Sequence, residues 1–461
     1  MQRVLFLFLS ILFATFSYAG GEKVPYPGGK CWMFRVYLKD KAGCKYNVDN
    51  PEAFLSPKAL ERRRRQGLAV DFTDLPVSDV YLSDLRRSGF DVVCTSKWNN
   101  TVLLRATDST LVDKLGAMPF VSSWRHVFTS SDSLKVHNND FEISPFLKNN
   151  STKYQGYYGK GERQIALHHG DSLHAAGYRG AGITIAVLDG GFSNVDRIPA
   201  FANTRILGTR NFIWPGEESV YRFGAHGTEV LSTIAANDSN RFVGTAPEAS
   251  FYLFCTEDGD TETPTEEDYW SAAAEYADSL GVDILSSSLG YHTFHNKADN
   301  YRYCDLDGHK SLCSNSASML ADKGMILVCS AGNEGRGSWK KITVPADAEN
   351  VITVGALNKD TINTAFSSIG PTSDGRVKPD VMAIGGPATV ISESGTLDES
   401  SGTSFACPLT AGLVACLWQA RPELNAKDLI KLIQQSGDRA DCPDNIFGYG
   451  VPDMWKAAKT R

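Results

Sequence analysis

At 461 residues the chain has room for about three average domains, or for one large α/β domain and a small one. Its 42% hydrophobic and 21% charged content is that of an ordinary globular protein. A net charge of -7 gives no electrostatic case for nucleic acid or an anionic membrane as partner.

The first stretch stands apart. Met1-Gln2-Arg3 is a basic start, residues 4–16 are an apolar core, and Ser17-Tyr18-Ala19 is a small-x-small cleavage pattern. The apolar core is short and no second hydrophobic span follows it. Residues 1–19 are therefore expected to be a signal peptide, and the protein to be secreted, extracellular or periplasmic, without a membrane anchor. Export makes the ten cysteines candidates for disulfides. Cys31 with Cys44, and Cys304 with Cys313, bracket short polar loops and are the expected pairs. Cys329, Cys407 and Cys416 lie in apolar runs and are expected to be buried thiols.

Residues 20–128 alternate short strands and helices. CWMFRVYL reads as a strand. Ser56-Pro57 supplies a cap and a first-turn proline for ALERRRRQG, which stops at Gly67. SDVYLSDLRRSG is a second helix, FDVVCTSKW and TVLLRAT are strands, DSTLVDKLG is a helix and FVSSW a last strand. That order suggests a small α+β, ferredoxin-like sandwich. The run Arg62–Arg65 reads as a solvated helix face. Residues 129–160 are rich in Ser, Asn, Asp, Lys and Gly and mark a linker.

From residue 161 to 461 the pattern becomes α/β. GITIAVLD, SFYLFC, GVDILSSS, GMILVCSAG and NVITVGA are short β-branched apolar runs without strict alternation, as in the buried strands of a doubly wound parallel sheet. GTEVLSTIAA, EEDYWSAAAEYADSLG and SASMLADKG read as helices between them. Such sheets place their chemistry at the carboxyl ends of strands. Asp189 and Asn333 stand at strand ends, in VLDGGF and VCSAGNEG. His226 and Ser404 open helices, in AHGTEV and GTSFACP.

A serine hydroxyl is a weak nucleophile until a base takes its proton, and the base must itself be oriented. Histidine suits that role near neutral pH, and a carboxylate fixes its tautomer. A tetrahedral intermediate also needs donors for its oxyanion, such as a backbone N–H and a side-chain amide. Asp189, His226, Asn333 and Ser404 supply all four parts.

With IAVLDGGF, HGTEV, ILSSSLG, VCSAGNEG, GTSFACP and FGYGVPDMWKAA, residues 160–458 resemble the subtilisin-like serine peptidases. The resemblance implies a secreted endopeptidase of protein or peptide substrates. Asp189, His226 and Ser404 match its triad and Asn333 its oxyanion-hole amide. Ser288, Leu289 and Gly290, with Ala331 and Gly332, match the segments flanking the substrate's P1 side chain, and Thr343 lies at the pocket floor. Pro345 aligns with a proline preceded by a cis bond, so Val344–Pro345 is expected to be cis. Residues 20–128 look like the family's propeptide, an intramolecular inhibitor, and the maturation cut is expected within 129–160.

The chain departs from the pattern at Cys407, where a small residue is common, and at Glu229, which replaces a histidine. The stretch from His226 to Gly244-Thr245-Ala246-Pro247 is shorter than in calcium-binding relatives, and Asn237–Asn240 reads as a turn. No cofactor is expected for the chemistry, and structural calcium has no clear loop. His168, His169 and His174, or His292 and His295, lack an HExxH setting, so no zinc site is expected. A hydrolase of another fold is opposed by the missing GxSxG and by the Asp–His–Ser order. A silent binding protein would lack one of the four parts, and all are present.

Overall fold

The computed structural model describes residues 23–25, 29–130, 133–135, 154–214, 219–222, 224–259 and 261–460. The expected signal peptide and the central part of the expected linker lie outside these residues.

In the N-terminal region the strands β1 (Trp32–Leu38), β2 (Asp91–Ser96), β3 (Thr101–Ala106) and β4 (Val121–Thr129) form an antiparallel sheet in the order β2-β3-β1-β4. Side chains alternate between its two faces. Phe34, Val36 and Leu38 point one way and form a core with Leu85 of a helix and Leu115 of a 3-10 run. The two helices are α1 (Pro57–Arg65) and α2 (Asp79–Arg87), each started by a serine: Ser56 accepts from the Ala59 N–H, and Ser78 from that of Tyr81. The segment expected as a third helix is 3-10 (Ser109–Ala117), capped by Asp108.

The larger unit is built on seven parallel strands: β5 (Thr184–Asp189), β6 (Arg205–Asn211), β7 (Ser250–Cys255), β8 (Ile284–Ser287), β9 (Ile326–Ser330), β10 (Ile352–Leu357) and β11 (Val381–Ile384). Their order is β11-β10-β9-β8-β5-β7-β6. Every residue of β5, β8, β9, β10 and β11 is buried, which is why these runs do not alternate. Ile185 and Val187 face a core shared with α3 (His226–Ala235) and α6 (Thr403–Ala420); Ala186 and Leu188 face another, shared with α4 (Thr265–Leu280) and α5 (Leu312–Met319). The chain builds outward from β5 to β6 and β7 on one side, then to β8 through β11 on the other. The carboxyl end of β5, at Asp189, is thus the switch point of the sheet.

The second face of the N-terminal sheet lies on α4. Arg35, on that face, forks onto Asp268 with Nε at 2.9 Å from both oxygens, and its Nη2 donates to Pro264 O at 2.6 Å. Glu275 accepts from Ser96 Oγ at 2.5 Å and from the N–H groups of Lys97 (2.6 Å) and Trp98 (3.0 Å). Asp278 receives Arg62 Nη2 at 2.5 Å, Arg63 Nη2 at 2.9 and 3.1 Å, and Lys97 Nζ at 2.9 Å. This corrects the expectation for Arg62–Arg65. Only Arg64 and Arg65 are exposed; Arg62 and Arg63 are buried because the helix carrying them is pressed against a carboxylate of the larger unit.

The disulfide expectation is also corrected: all ten cysteines are free. Cys31 is buried at the start of β1, whereas Cys44 is half-buried in a loop. Cys313 points inward from α5, 3.4 Å from Ser311 Oγ, whereas Cys304 is exposed. The short loops bring the residues near in sequence and turn their side chains into different environments. Cys329, Cys407 and Cys416 are buried thiols as expected. Residues 237–243 form a tight hairpin with Asn240 at φ 62, the turn expected there. Tyr154 N–H donates to Asn240 O at 2.7 Å, so the end of the expected linker is docked on this hairpin.

Candidate active site

Asp189 ends β5 with its side chain 1% exposed. Its carboxylate accepts from the Gly190 N–H at 2.8 Å and lies 2.9 and 3.0 Å from His226 Nδ1. His226 opens α3, and 43% of its side chain stays accessible. Its ring lies beside that of Phe405, centroids 5.7 Å apart, and Phe405 is the residue after Ser404. Burial pulls the imidazole pKa down, but the Asp189 carboxylate, by charge and hydrogen bond, and Glu229, by charge, outweigh it and raise it above the usual histidine value. Glu229 itself is pushed up by burial, against a hydrogen bond from Ser400 Oγ at 2.8 Å.

Ser404 is the second residue of α6. It is 8% exposed, and its Oγ donates to Ser288 O at 3.3 Å. Four residues on, Pro408 has no N–H to give to the Ser404 carbonyl. That carbonyl instead accepts from Ser288 Oγ at 2.7 Å. The start of α6 is thereby clasped to the segment leaving β8.

Asn333 follows β9. Its Oδ1 accepts from Thr403 N at 2.9 Å and Thr403 Oγ1 at 3.0 Å, which turns its Nδ2 toward the cleft. Thr403 Oγ1 also accepts from Gly332 N at 3.2 Å. A methyl built on Gly402 would lie 3.6 Å from each of Asn333 Nδ2, Ser404 N and Ser404 Oγ. One point beside the serine is thus ringed by two N–H donors and the hydroxyl.

The segments 288–290 and 331–332 leave neighbouring strands β8 and β9 at the same edge. Ser288 and Ala331 are buried, Leu289 and Gly332 half-buried, and Gly290 exposed. Thr343 is 3% exposed, and its N–H donates to Ala331 O at 3.2 Å. Val344–Pro345 is cis, as expected. The structure therefore brings Asp189, His226, Ser404, Asn333, Ser288, Leu289, Gly290, Ala331, Gly332 and Thr343 together at one edge of the sheet. Two contributors were not singled out from the sequence, Thr403 and Gly402. The signal for both was the tight packing of GTS ahead of an apolar helix.

His168 and His174 are structural in their contacts. His168 Nδ1 is 3.1 Å from Pro452 O and His174 Nε2 2.9 Å from Thr245 O. Among the described residues no group of three or more His, Cys, Asp or Glu side chains is placed to hold a metal ion.

An open, parallel α/β sheet with an Asp–His pair and a serine at a helix start defines a serine-hydrolase class of architecture. The sequence profile of the subtilase family, peptidase S8, matches residues 180–450, and that of the peptidase S8 propeptide domain of Bacteroidota matches residues 33–142. The chain belongs to the subtilase family. It is 31% identical over 255 residues to subtilisin NAT of Bacillus subtilis subsp. natto, covering 54% of this chain and 59% of that protein. It is 28% identical over 301 residues to subtilisin DY of Bacillus licheniformis, covering 64% of this chain and 97% of that protein. Serine protease AprX of Bacillus subtilis is 30% identical over 304 residues, covering 59% of this chain and 65% of that protein. The chain spans about three-fifths of the length of the first of these relatives.

Proposed function

We propose that this chain is a serine endopeptidase, secreted as a zymogen, that cleaves peptide bonds through an acyl-enzyme on Ser404. The observation that carries the reading is the ring of Asn333 Nδ2, Ser404 N and Ser404 Oγ around one point, beside the Asp189–His226 pair. In this reading Asp189 accepts a hydrogen bond from the Nδ1–H, which stays on the ring, and leaves Nε2 as the base. Ser404 Oγ gives its proton to His226 Nε2 and bonds to the scissile carbonyl carbon. The carbonyl oxygen, now an oxyanion, accepts from Asn333 Nδ2 and Ser404 N. His226 returns the proton to the leaving amine, and water then repeats the sequence to release the acid. The chemistry draws on protein groups alone and needs no cofactor.

The N-terminal region would act as an intramolecular inhibitor, removed by a cut within 129–160, a segment whose central part lies outside the described residues. A peptidase that cuts itself is tested by Ser404→Ala, which removes one oxygen. Purified from a host without other proteases, the variant should keep its N-terminal region, whereas the wild type sheds roughly a quarter of the chain. Intact-mass measurement decides. Processing of the alanine variant at the same bond would show that Ser404 is not the residue that cuts.

A further inference from the structure

The two segments that leave β8 and β9 beside Ser404 form the walls of a slot. A side chain next to the scissile carbonyl, held over Ser404 and Asn333, has to enter between them. What fills the slot is Thr343. A methyl built on Gly290 would overlap Thr343 Oγ1, and one built on Gly332 would lie 2.9 Å from the same oxygen and 3.0 Å from Thr343 Cγ2. The threonine side chain therefore bridges the two glycine walls and raises the floor between them. Gly332, at φ 104, sits where a side chain would be strained as well as crowded. Thr343 Oγ1 is buried and has no hydrogen-bond partner, the situation of a hydroxyl awaiting one. Pinning by the Thr343 N–H to Ala331 O, and by the two hydrogen bonds between Tyr291 and Val344 (2.8 and 3.0 Å), leaves the floor no room to retreat.

We propose that Thr343 makes this peptidase selective for a short P1 side chain, small apolar or short and polar, and that it excludes aromatic ones. The proposal rests on the peptidase reading above. A long ring would have to displace a pinned threonine and bury an unpaired hydroxyl against its face. A serine-sized side chain stops above the floor and can pair with that hydroxyl.

The test uses the processed enzyme and internally quenched peptides that differ only at P1: Ala, Ser and Phe. Wild type should cleave the Ala and Ser peptides at least about tenfold faster, by kcat/KM, than the Phe peptide, the scale on which pocket shape discriminates. Thr343→Gly, which lowers the floor, should move the Phe-to-Ala ratio toward Phe by about tenfold or more. Thr343→Val, which keeps the shape and removes the hydroxyl, should preserve the rejection of Phe and lower the rate for Ser relative to Ala. The wild-type ratios stand even where a variant fails to fold. A wild type that prefers Phe, or a folded Thr343→Gly with an unchanged ratio, overturns the proposal and leaves the peptidase reading intact. A processed wild type that cleaves none of the peptides and resists a fluorophosphonate overturns the peptidase reading, and this proposal with it.

Discussion

Replacing Asp278 by Asn, in a chain that also carries Ser404→Ala, should loosen the N-terminal region from the rest of the molecule. Asp278 is fully buried and receives Arg62, Arg63 and Lys97, all from the N-terminal region. Asparagine keeps the shape and removes the charge. Arg63 would still have Asp74 at 2.9 Å, and Arg62 the carbonyls of Val282 and Lys323. Lys97 would lose the carboxylate it reaches. Breaking a buried ion pair by removing one partner costs about 3–5 kcal/mol, because a desolvated charge is left behind. At 1.4 kcal/mol per tenfold, that is roughly a hundredfold or more in the equilibrium for undocking. Hydrogen exchange at the Lys97 and Trp98 amides, which donate to Glu275 across this contact, reads that equilibrium directly, and protection there should fall by about the same factor. An effect smaller than about fivefold would refute the reasoning, since it would mean that the three cations are satisfied without Asp278. The pH dependence follows. Burial alone would raise the Asp278 pKa, but Lys97, Arg62 and Arg63 outweigh it and hold the carboxyl well below the usual carboxylate range. A depressed acid stabilises above its unfolded pKa and loses that contribution only as pH falls toward its folded one. Docking in the unsubstituted chain should therefore persist at pH 5.

Gly402→Ala should abolish most activity without harming the fold. The backbone at φ 165, ψ 154 is extended and admits alanine, whereas its methyl would occupy the point ringed by Asn333 Nδ2, Ser404 N and Ser404 Oγ. Loss of about a hundredfold or more in kcat at an unchanged melting temperature is expected, the scale of a lost oxyanion-hole contact. The acid limb of kcat/KM against pH should lie above the ordinary histidine value near 6.5, because His226 must be neutral to act as base and Asp189 raises its pKa. Asp189→Asn should move that limb down as well as slow the reaction. Burial lowers the pKa of both His168 and His174 to about 4. A base with a depressed pKa stabilises above its unfolded value and loses that contribution as pH falls, so thermal stability should drop between about pH 6.5 and pH 4. Replacing His168 by Gln, which can still donate to Pro452 O, should flatten part of that slope.

Much of this arrangement was legible from local chemistry. Asp189 was found because a β-branched apolar run ended at an acid followed by two glycines, and Ser404 because a hydroxyl stood between Gly402-Thr403 and a small-residue helix. Both signals are short-range. The misread features all depend on what a second element brings. Arg62 and Arg63 read as surface because the buried carboxylate that draws both of them inward, Asp278, lies 216 and 215 residues away. Cys304 and Cys313 read as a bridge because spacing says nothing about which way α5 turns its side chains. The resemblance put Thr343 at the pocket floor, but that it fills the slot was not legible, since this depends on Gly290 and Gly332 in the segments leaving two other elements.

The helix α4 carries its meaning in two registers. Trp270, Ala273, Ala274 and Ala277 hold it to the sheet, and Asp268, Glu275 and Asp278 would, by composition, be its wet side. Here that side is dry, because the N-terminal region lies across it. Under the maturation proposed above, the same three carboxylates would return to water once the covering piece departs, and there they are at home. The departing piece, by contrast, would take Arg35, Arg62 and Lys97 away from their acids and leave Arg63 with Asp74 alone. Under that proposal the acidic side of α4 would suit a unit that lives in water, and the basic face of the N-terminal region a unit that stays docked. Its grip should weaken with added salt, and the fragment, once cut, would compete for the bare acidic stripe until it is diluted or destroyed. On this view the moment of activation is set by clearance of the fragment rather than by the cut that frees it.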